Sequence, residues 1–421
     1  MVELNFNPGD YVKLRLAKRE VEGTILESTD SSVYLLKLKT GYNVGIPKEN
    51  VLAGRALKKY SEEKPKLELK EKKGLKSIGL IVTGGTIASK ADPKTGAVHP
   101  LTDVGEFAKF YPELFEMVNV KKIEVPFMIF SEAMTSEHWI KIAETAGKML
   151  NDKEIEGVIV THGTDFLHYT SAALSFFLRN LNKPVVLTYS QRSIDRGSSD
   201  ANLNLQCAAQ MALSDCAEVM LVGHGTTNDD FCYAMPGTKV RKMHSSRRDA
   251  FKVVNGSPIA KVWPDKVEFL GEHKPRNKNK VELDAEFSDK VALVKFYPGQ
   301  DPDILDYYAL KYKGLVVEGA GLGHVSEAWF GKLKKHIREG MVVCMATQTV
   351  FGRVDSYVYS TGRQLLDAGV VYLEDMLPET ALVKLGWVLG HHGWKGRAAA
   401  KMLENVAGEL NERLQCCIIR K

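Results

Sequence analysis

Seven short apolar runs recur along the chain: SIGLIVT (77–83), EGVIVTHG (156–163), PVVLTYS (184–190), AEVMLVGHG (217–225), VALVKFY (291–297), GLVVEGAG (314–321) and GMVVCMA (340–346). Each is strand-length, apolar without a polar alternation, and separated from the next by longer amphipathic segments. This is the pattern of parallel strands buried on both faces and connected by helices, so the sequence predicts an α/β fold. In such sheets ligands sit beyond the carboxyl ends of the strands. The stretch from about 255 to 289, which contains HKPRNKNK, breaks the rhythm and reads as the connection between two lobes.

The N-terminal part follows another rule. DYVKLRL, EGTILEST, SSVYLLKL and YNVGIP alternate polar and apolar residues and are separated by turn residues such as Asp30, Ser31 and Gly41, the pattern of a small β-barrel. After it comes KKYSEEKPKLELKEKKGLK (58–76), dense in charge and holding Pro65 and Gly74, which reads as a solvated linker. The expected organisation is therefore a β-barrel domain over 1–57, a charged linker over 58–76, and two α/β lobes over 77–270 and 271–421, the first carrying the main catalytic residues.

Composition excludes several classes of function. Lysine and arginine exceed aspartate and glutamate by five (57 against 52), too small a surplus to imply nucleic-acid binding by charge alone. GxxxxGK[ST] is absent, which leaves no sequence reason to place ATP on this chain. Apolar runs stop well short of the roughly 18 residues that a membrane span needs, and no basic-then-apolar leader opens the chain, so a cytoplasmic protein is expected. The six cysteines (207, 216, 232, 344, 416, 417) have no CxxC spacing and are expected to be reduced thiols rather than metal ligands.

Two turns at strand ends carry the chemistry-bearing residues: VTGGTIAS (82–89) and VTHGTDFLHYTSAA (160–173). Read alone, Gly84 and Gly85 serve backbone freedom with Thr86 near a helix start, and Thr164 or Asp165 caps the helix that follows. The order GGT followed by Ile87 does not fit the dinucleotide fingerprint GxGxxG. A threonine hydroxyl is a weak nucleophile that needs a base or a reoriented proton network. Downstream, GTKVRKMHSSRRDAF holds Lys242 among Lys239, Arg241, Arg247 and Arg248, which by itself reads more readily as a solvated basic face.

Taken in order, TGGTIAS, IFSEAMTSEHW (129–139), THGTD, YSQRSIDRGSSDANLN (189–204), VRKMHSS, VEGAGLGHVSEAW (317–329), TQTVFGRVDSYVYSTGRQLLDAGVV (347–371) and PETALVKLGWVLGHH (378–392) resemble the L-asparaginase and glutaminase family over about 77–400. The resemblance implies that family's two-lobed fold and hydrolysis of a side-chain amide through an acyl-threonine. Thr86 matches the family's first catalytic threonine, Thr164 and Asp165 the THGTD pair, and Lys242 the lysine completing a second triad. Ser131 and Glu132 match substrate-gripping positions, as do Gly85 and Gly163 in the two turns. Glu132 stands where the family has glutamine; a carboxylate still accepts from a substrate ammonium. The loop KADPKTGAVHPLT (90–102) lacks the tyrosine usual in the family's lid. Whether Thr86 or Thr164 is the nucleophile stays open at this level, as does the protonation state of Lys242.

The added β-rich domain resembles that of the D subunits of archaeal glutamyl-tRNA(Gln) amidotransferases. That branch implies a glutaminase working as a homodimer within a heterotetramer. Its ammonia passes to a tRNA-binding kinase and transferase subunit that converts Glu-tRNA(Gln) to Gln-tRNA(Gln), with ATP and magnesium on that partner and no cofactor on this chain. The alternatives are a free-standing cytoplasmic asparaginase with an accessory domain and a non-catalytic scaffold. Together, Thr86, Thr164, Asp165 and Lys242 argue against the scaffold.

Overall fold

The structure, a computed structural model, describes residues 5–60, 71–91, 98–101, 104–194 and 197–413. Its first five strands are β1 (Tyr11–Leu16), β2 (Glu20–Leu26), β3 (Val33–Lys37), β4 (Asn43–Pro47) and β5 (Val51–Lys58). They form one antiparallel sheet in the order β4-β3-β2-β1-β5, an arrangement compatible with the expected small barrel. The alternation seen in the sequence directs Val12, Leu14, Ile25, Leu36 and Ile46 into a small core of their own.

The first α/β lobe runs through β6 (Ser77–Val82), a hairpin of β7 (Ser89–Ala91) and β8 (Val98–Pro100), helices α1 (Val104–Phe110) and α2 (Pro112–Met117), β9 (Asn119–Glu124) and α3 (Ser136–Leu150). It continues with β10 (Val158–Thr161), α4 (Leu167–Phe177), β11 (Leu178–Arg179), β12 (Val185–Thr188), α5 (Ala201–Ala212), β13 (Val219–His224), β14 (Cys232–Pro236), β15 (Val240–Lys242) and β16 (Phe251–Val253). Then come β17 (Ala260–Val262), β18 (Val267–Phe269) and β19 (Glu282–Leu283). The main sheet has the order β18-β17-β14-β13-β12-β10-β6-β9. Its pairs from β9 to β13 are parallel, and those beyond β13 are antiparallel.

The second lobe consists of β20 (Val291–Lys295), α6 (Ile304–Lys311), β21 (Gly314–Gly319), α7 (Phe330–Arg338), β22 (Val342–Thr347), α8 (Ser360–Asp367), β23 (Val371–Tyr372), α9 (Pro378–Gly390) and α10 (Ala398–Leu403). Its four strands pair in parallel in the order β20-β21-β22-β23.

The unbroken apolar strands are explained by two cores, one on each face of the main sheet. Val158 and Val160 of β10 enter one core, while Ile159 between them enters the other. The first of these cores also takes Val316, Cys344 and Leu385 from the second lobe, so it is continuous across both. The stacked rings of Phe176 on α4 and Trp387 on α9, with centroids 5.6 Å apart, lie at that junction.

Part of the stretch that breaks the sequence rhythm is sheet. β17 and β18 extend the main sheet, turning through Trp263–Lys266, and β19 pairs with β11. Runs of two or three residues on either side of Pro264 are too short to show a period. Most of the charged linker falls on 61–70, outside the described residues. Among the described residues no helix is long and apolar enough to cross a membrane.

Candidate functional site

Parallel pairing of β6 with β10 puts Val82 level with Thr161, so both threonine-bearing turns leave the sheet side by side. Thr83 joins them: its backbone N–H and its hydroxyl both donate to the carbonyl of Thr161, at 3.2 and 2.8 Å. Gly85 sits at φ +81°, and a Cβ there would come within 2.5 Å of the His162 carbonyl oxygen. The close approach of the turns therefore requires glycine at this position. Thr86 then opens a single 3₁₀ turn, Thr86–Ala88, and is half-buried. The buried Tyr111 hydroxyl donates to the carbonyl of Ile87 at 2.5 Å and holds that turn from behind. Burial pushes the Tyr111 phenol up, which keeps it a donor.

In the second turn, His162 is completely buried, and burial holds its imidazole down at about 4. Nδ1 lies 2.7 Å from the Gly163 carbonyl and Nε2 lies 2.9 Å from the Thr170 hydroxyl. A carbonyl only accepts, so the neutral ring donates from Nδ1 and accepts the threonine proton at Nε2. The turn that presents Thr164 is thus pinned from inside the protein.

Thr164 and Asp165 meet Lys242, the last residue of β15, whose strand is held in a hairpin with β16. The Lys242 Nζ donates to Thr164 Oγ1 at 2.8 Å and to Asp165 Oδ1 at 2.6 Å. The side chain of Lys242 is 8% exposed and that of Asp165 is 61% exposed. One nearly enclosed amino group is therefore shared between a hydroxyl and an open carboxylate. Arg241 turns to the second lobe and pairs with Glu379 on α9 at 3.0 Å.

Ser131 opens another single 3₁₀ turn and is buried. Its Oγ accepts from the Phe166 backbone N–H at 3.3 Å, and a Cβ added to Gly163 would be 3.1 Å from the Ser131 Cβ. Thr164, Asp165, Lys242, Ser131, Gly85 and Gly163 are thus brought together around one pair of turns, with Thr86 following directly on Gly85. Glu132 is exposed. The middle of the 90–102 loop lies outside the described residues.

Two positioning groups escape the sequence reading. His162 stands inside THGTD but reads there as a spacer, and Tyr111 carries no local signal because its contact spans 24 residues. The four described cysteines, 207, 216, 232 and 344, are free and buried. Burial pushes the Cys344 thiol up to about 12, so it is no nucleophile at neutral pH. Among the described residues no group of three or more His, Cys, Asp or Glu side chains could hold a metal ion.

The chain is similar to known proteins over most of its length. Residues 77–275 match the asparaginase N-terminal family model, 290–402 the glutaminase/asparaginase C-terminal domain, and 6–53 the GatD N-terminal domain. The thermostable L-asparaginase from Thermococcus kodakarensis superposes with a TM-score of 0.72 at 31% identity, covering 80% of this chain and 100% of that one. L-asparaginase I from Vibrio cholerae gives 0.67 at 26% identity, with 80% and 100% covered. The D subunit of the glutamyl-tRNA(Gln) amidotransferase of Pyrococcus furiosus is 49% identical over 416 residues, 96% of this chain and 94% of the relative. Its counterpart in Methanococcus maripaludis is 42% identical, with 97% and 99% covered. With its asparaginase-like lobes preceded by a domain that a free-standing asparaginase lacks, the chain belongs to the family of glutamyl-tRNA(Gln) amidotransferase D subunits.

Proposed function

We propose that this chain is the glutaminase subunit of a tRNA-dependent amidotransferase. It hydrolyses the side-chain amide of glutamine and passes ammonia to a partner subunit, which amidates Glu-tRNA(Gln) to Gln-tRNA(Gln). ATP and magnesium belong to that partner, the pair works as a heterotetramer built on a homodimer of this chain, and the assembly is cytoplasmic. The observation that supports the reading best is the Thr164–Lys242–Asp165 contact beside the Thr86 turn, combined with the matched N-terminal domain.

In the reaction, the Thr86 hydroxyl attacks the amide carbon and backbone N–H groups near Thr164 stabilise the oxyanion. The Thr86 proton passes to the amide nitrogen, the C–N bond breaks, ammonia leaves, and an acyl ester on Thr86 remains. Water then attacks the ester beside Thr164, and glutamate is released with the Thr86 proton restored. Thr164 is the less suited nucleophile, because its oxygen already accepts the Lys242 Nζ hydrogen bond. Lys242 orients that hydroxyl by donating to it, and Asp165 holds the lysine. Ser131 and Glu132, with Gly85 and Gly163, bind the amino-acid end of the substrate.

The test is ammonia release from glutamine and asparagine, by the chain alone and with the tRNA-binding partner, ATP, magnesium and glutamyl-tRNA(Gln). Glutamine hydrolysis should rise strongly with partner and tRNA, and Thr86→Val or Lys242→Ala should lower it at least ~100-fold without loss of fold. Fast asparagine hydrolysis indifferent to both additions would instead identify a free-standing asparaginase.

A further inference from the structure

The strand that ends in Lys242 is gripped from the second lobe at the two residues that lead into it, Thr238 and Lys239. The Thr380 hydroxyl on α9 donates to the Thr238 carbonyl at 2.9 Å, and the Thr238 hydroxyl donates to the Ala407 carbonyl at 3.0 Å. Lys239, 3% exposed, donates from Nζ to Asp375 Oδ2 at 2.7 Å and to the Asp375 carbonyl at 3.2 Å. Asp375, 1% exposed, also accepts the Asn411 backbone N–H on Oδ1 at 2.9 Å and the Asn411 side-chain amide on Oδ2 at 2.6 Å. The same amide donates to the Asn255 carbonyl at 2.6 Å, beyond the β15–β16 hairpin.

Residues 404–412 form this clasp, and they lie past the residues that match the asparaginase C-terminal model. They have their own buried anchor. Glu409 accepts from the backbone N–H groups of Val406 and Ala407, and pairs with Lys384 Nζ at 2.5 Å, with both side chains wholly enclosed. A buried pair of this quality is costly to break, because the surviving charge is left without a partner. The anchor therefore fixes where Asn411 meets Asp375. Burial lowers the Lys239 pKa against the opposing pull of Asp375, so the contact rests on that carboxylate being held in place.

We propose that Asn411, Asp375 and Lys239 form a positioning device for Lys242, through which the carboxyl-terminal segment 404–412 sets the lysine against Thr164 and Asp165. The role in catalysis rests on the glutaminase reading above. None of the three touches the reacting atoms. They act through Lys239, three residues before Lys242 and next to the first residue of the strand, where a small displacement of the backbone is carried to Nζ. The contacts of Lys242 at 2.8 and 2.6 Å leave little room for such a shift.

The experiment uses the full chain with its partner, comparing Asn411→Ala and Lys239→Met with wild type in two measurements. In glutamine hydrolysis, each variant should lose about tenfold in kcat with KM within twofold, because the substrate-facing turns are untouched. In amide hydrogen exchange, protection of 239–243 should fall about tenfold while 79–83 and 158–162 keep wild-type rates. Unchanged kcat and unchanged exchange would overturn the proposal. So would a joint collapse of kcat, KM and thermal stability in both variants, which would mean that the clasp merely holds the lobes together. If wild type with its partner releases no ammonia, the glutaminase reading fails, and the exchange measurement still decides whether the clasp positions the lysine strand.

Discussion

Gly85 is the residue at which sequence and geometry agree most closely. Its φ of +81° and the 2.5 Å separation between an added Cβ and the His162 carbonyl combine backbone strain with a steric block. Gly85→Ala should therefore cost about 1–3 kcal/mol from the backbone conformation alone, and it should also push the Thr86 turn away from the second turn. Thermal unfolding should show the lowered stability, and ammonia release should fall at least ~10-fold; a variant with wild-type melting and activity would refute the close approach. The glycine was legible because a doubled glycine after an apolar run has few structural uses. His162 and Tyr111 were not, since a buried imidazole and a buried phenol are defined by what surrounds them. Nothing in the neighbouring letters distinguishes them from ordinary core residues.

The turn-and-helix element from His162 through α4 holds two imidazoles kept neutral inside the protein. Burial lowers His162 from 6.5 to about 4. Burial, helped by the nearby charges of Arg241 and Lys242, lowers His168 to about 3. Both folded-state values lie below the unfolded value, so below pH 6.5 the unfolded chain binds more protons and stability falls as the solution is acidified. The His162 shift corresponds to ~3 kcal/mol, fully present above pH 6.5 and lost progressively down to about pH 4. Urea unfolding at pH 7 and pH 4.5 should show this loss, and His162→Asn should flatten the slope; equal slopes in the two proteins would contradict a buried neutral ring. At this scale the sequence was readable wherever a strand fills two cores, as in β6, β10, β12 and β13. It was unreadable in β17 and β18, which are too short for a period, and in 404–412, whose order comes from enclosed charges rather than hydrophobic spacing.

On the scale of the whole molecule, the five-stranded sheet has its own core, and among the described residues no ladder pairs it with either lobe. Deleting 1–57 should leave the thermal transition of the lobes intact and preserve basal ammonia release; aggregation of the shortened chain would show that the sheet completes their fold. The two lobes, by contrast, share one core and cannot be separated in this way. The resemblance of the motifs carried this architecture into the sequence reading, but the clasp between the lobes lies outside those motifs and came only with the coordinates. Because a chain is made from its amino end, both hydroxyl-bearing turns are complete long before Asn411 leaves the ribosome. On our proposal the lysine strand is therefore the last part of the site to be fixed, because segment 404–412 emerges after everything that it clasps.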